Sequence, residues 1–199
     1  MKTKLVFIQL FLLSLSAFAQ KDSTRFEHGM TFCGTTIIGN WIEFDELILY
    51  PSYEVALKKH ALSVGPLIRL RQYAYWYTTT DGPYIEGGKL TYKFCPNGRD
   101  SRFSFHFKYD GTLEFERYQE TLFNGTDLAT RYTIFGNYLG YGFLVKLTKQ
   151  LRLEQSISIG YLTERRSRDF SEPNDQDYVE TRHIPSFLAS VGLNYVFTK

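Results

Sequence analysis

Between Phe103 and Phe115 the chain alternates between two kinds of side chain. Phe103, Phe105, Phe107, Tyr109, Leu113 and Phe115 share one parity, and Ser104, His106, Lys108, Asp110, Thr112 and Glu114 share the other. A period of two is the repeat of an extended strand, whose successive side chains point to opposite faces. A helix, with its period of 3.6, would mix both sets on every face. The fold must therefore give this strand apolar surroundings on one side and polar surroundings on the other.

From about Met30 onward the chain reads as eight such segments separated by turn residues. The first is Gly- and Thr-rich, near Met30 to Gly39, and a connection through Asn40, Trp41 and Asp45 leads to the second, Leu47 to Lys58. Lys58-Lys59-His60 turns the chain into the third, Ala61 to Tyr73, and a longer loop around Asp81-Gly82-Pro83 leads to the fourth, Tyr84 to Phe94. Cys95-Pro96-Asn97-Gly98 is a strong turn signal before the fifth. The sixth is expected from Arg131 to Leu147, the seventh from Leu151 to Thr163 and the eighth from Phe187 to Phe197, after a long charged loop from Arg165 to Glu180. Pro51 lacks a donor for the ladder and is expected at a bulge or near a rim. Short and long connections alternate, with three short turns on the side of the termini and four loops on the other.

The N-terminus carries a different signal. Lys2 and Lys4 precede the apolar run Leu5 to Leu13 and the small-residue site Ala17-Phe18-Ala19. This is the pattern of a secretory signal peptide, residues 1–19, cut near Ala19 to leave one domain over residues 20–199, although a retained anchor remains an alternative. Cleavage removes two lysines and no acid, leaving 21 basic and 21 acidic residues. No basic run survives, so nucleic acid is not an expected partner. The apolar run Leu5 to Leu13 is too short to span a bilayer as a helix and no long apolar run follows it, so membrane residence would have to come from strands. Cys33 and Cys95 fall on the first and fourth strands, which are not neighbours in an eight-stranded barrel, and no disulfide is expected.

The polar face decides which side is outside. Mid-strand it carries Glu54, Arg69, Arg71, Lys89, His106, Lys108, Asp110, Glu114 and Glu154, with both signs present, whereas the apolar face is nearly free of charge apart from Glu86. An eight-stranded antiparallel barrel has an interior only wide enough for side chains. That is too narrow for so many aromatics, and the expectation is an all-β up-and-down barrel with lipid outside and an ion network in a filled lumen. Strands two to five supply the long charged side chains, and strands six to eight supply Gly136, Gly140, Gly142, Ser156, Ser158, Gly160, Ser190 and Gly192. Charges from one wall are expected to reach toward the small residues of the other. A soluble barrel enclosing a small hydrophobic ligand is the competing fold.

The signal segment, the eight alternating segments, the sixth strand Gly136-Asn137-Tyr138-Leu139-Gly140-Tyr141-Gly142 and the aromatic closing strand Phe187 to Phe197 together resemble the small outer-membrane β-barrel domain family of Gram-negative bacteria, the OmpX- and OmpA-like class. Thr198 and Lys199 follow Phe197 where that class usually ends on Phe. The resemblance implies the outer membrane as location and recognition by the barrel-assembly machinery. A monomer is expected.

Chemistry is sparse. His28, His60, His106 and His183 are scattered, and His106 with Lys108 and Asp110 reads as an ion network before a catalytic cluster. His183 with Ser186 offers two of the three residue types of a lipid A deacylase, at a spacing that matches no motif. No catalytic residue, metal or cofactor is expected, and the role is read as structural or surface-interacting. Asn124-Gly125-Thr126 matches a short glycosylation pattern in a loop that needs turn residues anyway. Tyr73, Tyr75, Trp76 and Tyr77 are candidates for an aromatic girdle or a partner contact. Arg165, Arg166 and Arg168 are candidates for contact with lipopolysaccharide phosphates, for which Arg has suitable geometry.

Overall fold

The structure, a computed structural model, describes residues 26–38, 47–71, 84–121, 127–170 and 178–197. The signal segment, Tyr73, Tyr75, Trp76, Tyr77 and the Asn124 pattern lie outside these residues. The described chain forms eight strands: β1 (Phe26–Ile38), β2 (Leu47–Leu57), β3 (His60–Arg71), β4 (Tyr84–Phe94), β5 (Phe103–Thr121), β6 (Asp127–Lys146), β7 (Leu151–Phe170) and β8 (Tyr178–Val196). They close into one barrel in chain order, every neighbour antiparallel, with β1 sealed against β8 from Gly29↔Val196 to Ile38↔Phe187. Closure removes the free edges that an open sheet would present.

Parity sorts the side chains. On β5, Ser104, His106, Lys108, Asp110, Thr112 and Glu114 are buried, while Phe103, Phe107 and Phe115 each expose about half their surface outward. The same alternation runs around the barrel, with Phe32, Tyr53, Val64, Leu90, Leu139, Ile159 and Val191 outside. The inside is not wholly polar. Cys33, Ile48, Tyr50 and Leu67 form an apolar cluster within the lumen of β1 to β3, on positions for which the alternation gave no warning. Both cysteines are buried and unpaired.

The turns follow local chemistry. Lys58 takes a positive φ of 52° in the two-residue β2–β3 turn, and Gly98 a φ of 78° between β4 and β5. Pro51 is neither at the rim nor at the β2–β3 register shift, which falls between Leu47 and Ile48. Instead the β2–β3 pairing pauses between Leu49↔Ile68 and Tyr53↔Val64, the interval that contains both Pro51 and Pro66, neither of which has an N–H to give.

The four later strands are longer than the alternation of hydropathy suggested. β1 to β4 have 11 to 13 residues, and β5 to β8 have 19 or 20. The expected loop from Arg165 to Glu180 is corrected: residues 165–170 and 178–180 are strand, paired as Arg165↔Thr181 and Arg166↔Glu180. Past the apolar belt both faces carry polar residues, so the direction of the side chains still alternates while their polarity does not. The last described pair of β5 with β4 is Gly87↔Glu114, and β5 runs on to Thr121. The β5–β8 sheet thus continues by roughly 20 Å along the strand at about 3.3 Å per residue.

Glycines on the inner face allow close packing against the neighbouring strand and lumen side chains. A Cβ at Gly142 would fall against the Gln155 carbonyl, Ser156 and the His106 ring. Gly142→Val is expected to lower stability by about 1–3 kcal/mol through overpacking, read as a lower urea midpoint of the heat-modifiable folded band.

Candidate functional site: a charge-filled lumen

Glu54 of β2 is the hub at the end of the barrel where β1 begins, β8 ends and the short turns lie. Its Oε2 accepts from Lys93 Nζ at 2.8 Å, and its Oε1 accepts from Asn194 Nδ2 at 2.9 Å and from the Arg99 guanidinium. Lys93, from β4, also donates to Glu154 of β7 at 2.5 Å, so one ammonium ties β2, β4 and β7 across the lumen. Asn194 of β8 donates in addition to Thr31 Oγ1 at 2.7 Å, bringing in β1. Arg99 rises from the β4–β5 turn into the barrel. Burial there opposes its charge, yet the neighbouring Glu54 carboxylate outweighs this and raises the guanidinium above its ordinary pKa. Burial pushes the adjacent Cys95 thiol up. At the same rim Arg152 Nη1 lies 3.1 Å from Glu27 and its Nη2 3.9 Å from Asp100.

A second centre lies higher on β4 and β5. Asp110 is wholly buried and faces Lys108 at 2.7 Å and Lys89 at 3.5 Å, while Thr91 Oγ1 donates to it at 2.5 Å. Lys89 Nζ also sits 4.9 Å from the Tyr50 ring centroid. Toward the loop end, Arg69 pairs with Glu116 at 2.8 Å and reaches Glu114 at 4.0 Å. Each of these buried bases has an acid within 4.0 Å, which is the condition for retaining charge away from water.

The sequence-derived lumen residues Glu54, Arg69, Lys89, His106, Lys108, Asp110, Glu114 and Glu154 all face this interior; the Arg71 side chain lies outside the description. His106 does not join Lys108 and Asp110. It turns to Glu154, with Nε2 3.7 Å from Oε1, over Gly142. Lys93, Arg99, Arg152, Glu27 and Glu116 belong to the network and were not among the expected members. Parity on β4 places Lys93 with Lys89 and Thr91, so that residue was legible, whereas Arg99 sits in a turn where parity says nothing.

The remaining candidates separate. His183 is exposed on the outer face, held to Thr163 at 3.0 Å, and Ser186 is buried in the lumen, so the two sit on opposite faces of β8. Arg165 faces outward. Arg166 faces inward, its guanidinium carbon 5.3 Å from the Tyr132 ring centroid, which corrects its reading as an outer contact. The Arg168 side chain lies outside the description. Among the described residues, aromatic side chains gather at the turn end: His28 bonds Tyr53 and His60 bonds Tyr92, each at 2.7 Å, with Phe103, Phe105 and Phe143 in ring contact nearby. Among the described residues no group of His, Cys, Asp and Glu is arranged to hold a metal ion.

This geometry defines a class: a closed eight-stranded antiparallel barrel, apolar outside and charged inside. No family model and no curated protein matches the sequence. Among solved structures, a major outer membrane protein from Thermus thermophilus is similar in fold, with a TM-score of 0.51, 11% identity, and coverage of 87% of this chain and 100% of that one.

Breaking the hub leaves two buried carboxylates short of a counter-charge. Lys93→Met is expected to cost about 3–5 kcal/mol, whereas Arg182→Ala, which removes the exposed pair with Glu180, costs about 0.2–1 kcal/mol. Equilibrium unfolding of both variants in detergent measures the contrast.

Proposed function

We propose that the protein is an outer-membrane β-barrel of the small OmpX- and OmpA-like class, with a closed lumen and a non-enzymatic role that it performs through its outward-extended strands. The observation that carries this reading is the inverted polarity of the barrel. Ion pairs fill the inside, and large apolar side chains cover the outside on all eight strands, the reverse of a soluble barrel that encloses an apolar ligand.

The height of the apolar band agrees. Outward-facing Leu151, Leu153, Ile157, Ile159 and Tyr161 span ten residue steps of β7, about 33 Å along the strand. With a tilt of about 35–45° this gives a band of roughly 25 Å, the height that lipid requires. Gln155 interrupts it on the outer face. The ion pairs that join β2, β4 and β7 across the lumen support a filled interior, and with it a structural or surface-interaction role over a porin. The polar β5–β8 extension supplies the surface for partners outside the cell. The signal segment 1–19 would direct export, and the closing strand Phe187 to Phe197 would be what the assembly machinery reads. The separation of His183 from Ser186 gives the deacylase reading no support.

Expression with membrane fractionation is expected to place the protein in the outer membrane, with a folded band that shifts on boiling; a soluble product overturns the proposal. In a planar bilayer the purified barrel is expected to show no resolved single-channel conductance, and a stable open channel would refute the closed lumen.

A further inference from the structure

The apolar exterior is interrupted on β7. Its outward positions run Leu151, Leu153, Gln155, Ile157, Ile159 and Tyr161, so Gln155 places an exposed amide near the middle of the belt. Other outward polar groups are satisfied within the chain: Asn137 accepts from the Tyr109 hydroxyl, and His28 and His60 bond Tyr53 and Tyr92, each at 2.7 Å. The Gln155 side chain has no hydrogen-bond partner among the described residues. At this depth acyl chains offer none either, and an unsatisfied amide away from water costs free energy.

Gln155 also borders an open groove of about 620 Å³ on the outside of β6, β7, β8 and β1. The groove is high on one side, where Tyr141 and Phe143 of β6 stand out from the sheet. It is low on the other, where the outward positions are Ala189 of β8 and Gly34 of β1. Gln155 lies between the two, directly opposite Phe143 on β6 and Val191 on β8, and Val191 in turn lies opposite Gly34. In the adjoining row Ile157 separates Tyr141 from Ala189.

These features select an occupant. It must offer a donor and an acceptor together, because an amide carries both. A second Gln155 does so, since each amide can donate to the carbonyl oxygen of the other. Copies inserted in the same direction are related by a two-fold axis along the membrane normal, and a two-fold contact uses the same patch on both copies. With β7 on the axis, β6 of each copy faces β8 and β1 of the other. The ridge of Tyr141 and Phe143 then meets the trough of Ala189 and Gly34, and it does so twice. An acyl chain would fill the trough but leave the amide unsatisfied.

We infer that this groove is the contact face of a homodimer in the membrane plane, in which the Gln155 amides of two copies hydrogen-bond to each other across a two-fold axis. The inference rests on the proposed membrane orientation and replaces the monomer expected from the sequence. It gives the barrel a lateral contact, separate from the surface of its outward extension.

The test is sedimentation equilibrium of the full-length folded protein in a density-matched non-ionic detergent, over a range of protein-to-detergent ratios. Wild type is expected to form a reversible dimer. Gln155→Leu, which keeps the bulk and removes the amide, is expected to raise the dimer dissociation constant about tenfold, roughly 1.4 kcal/mol, the scale of polar contacts between membrane segments. Gln155→Asn, which retains an amide, should fall between the two. Ala189→Leu, which fills the trough from the outer face, should weaken the dimer at least as much as Gln155→Leu, and Val64→Ala on the opposite wall should match wild type. Added salt should leave the wild-type constant unchanged, because the contact is between neutral groups. A wild type that stays monomeric at every ratio overturns the inference, and so does a dimer that Gln155→Leu and Ala189→Leu leave intact. Native mass spectrometry of the same samples tests the other occupant: a monomer carrying a lipid that Ala189→Leu loses makes the groove an acyl-chain site and overturns the dimer. The boil-shifted band shows that each variant is folded, and failure of the membrane orientation is separately visible as a soluble product in fractionation.

Discussion

Everything in this molecule depends on the requirement that charges inside a narrow barrel be paired with one another. Eight strands enclose a space that side chains fill, so a buried base cannot borrow water and must find an acid on another strand. Lys93 satisfies this by joining Glu54 on β2 and Glu154 on β7 across the lumen. Asp110 satisfies it by holding Lys89 from the adjacent strand and Lys108 from its own. Such pairs do little for net stability compared with an apolar core of equal volume, but a broken one is costly. A one-residue slip of β4 or β5 would turn Lys93 or Asp110 out of the lumen and bring an aromatic in. The network thereby specifies register.

The same constraint links the two ends of the barrel. At the turn end Arg99 reaches up from the β4–β5 turn to Glu54, and Arg152 reaches Glu27, so turn and rim contribute residues that also complete the charge balance of the lumen. The small residues of β6 to β8 leave room for this. Gly142 lies under His106, and a side chain at Gly192 would strike Cys33. Outside, the alternation that points charges inward necessarily points Phe, Tyr and Leu outward, and the apolar exterior is the other half of one arrangement. Above the belt the rule relaxes, and charges appear on both faces of the β5–β8 extension.

The alternation made much of this legible. It gave the bounds of β4 and the start of β5 and β7, the outward direction of Phe103 and Phe107, and the inward direction of Glu54, Lys108 and Glu154. It failed where one of its conditions was absent. Beyond Thr163 the strand goes on without a polarity difference between faces, so Arg165 to Phe170 read as loop. Arg99 lies in a turn, where no parity exists. Tyr50 and Leu67 are apolar residues on the polar face, masked by the stronger signals of Ser52, Glu54 and Arg69. Partner choice was illegible for a different reason: parity says that His106 points inward, but only the closed geometry tells that it meets Glu154 and leaves Asp110 to Lys108.

The central claim is that the apolar face of this barrel meets lipid and the charged face meets itself. Spin labels placed one at a time from Phe103 to Phe115 in the protein reconstituted into liposomes test it most directly, through collision with oxygen, which concentrates in lipid, and with a water-soluble nickel chelate. The account predicts oxygen access that rises at every odd position and falls at every even one, with no access to the nickel reagent at His106, Lys108 or Asp110. Oxygen access at the even positions, or nickel access at the odd ones, would contradict it.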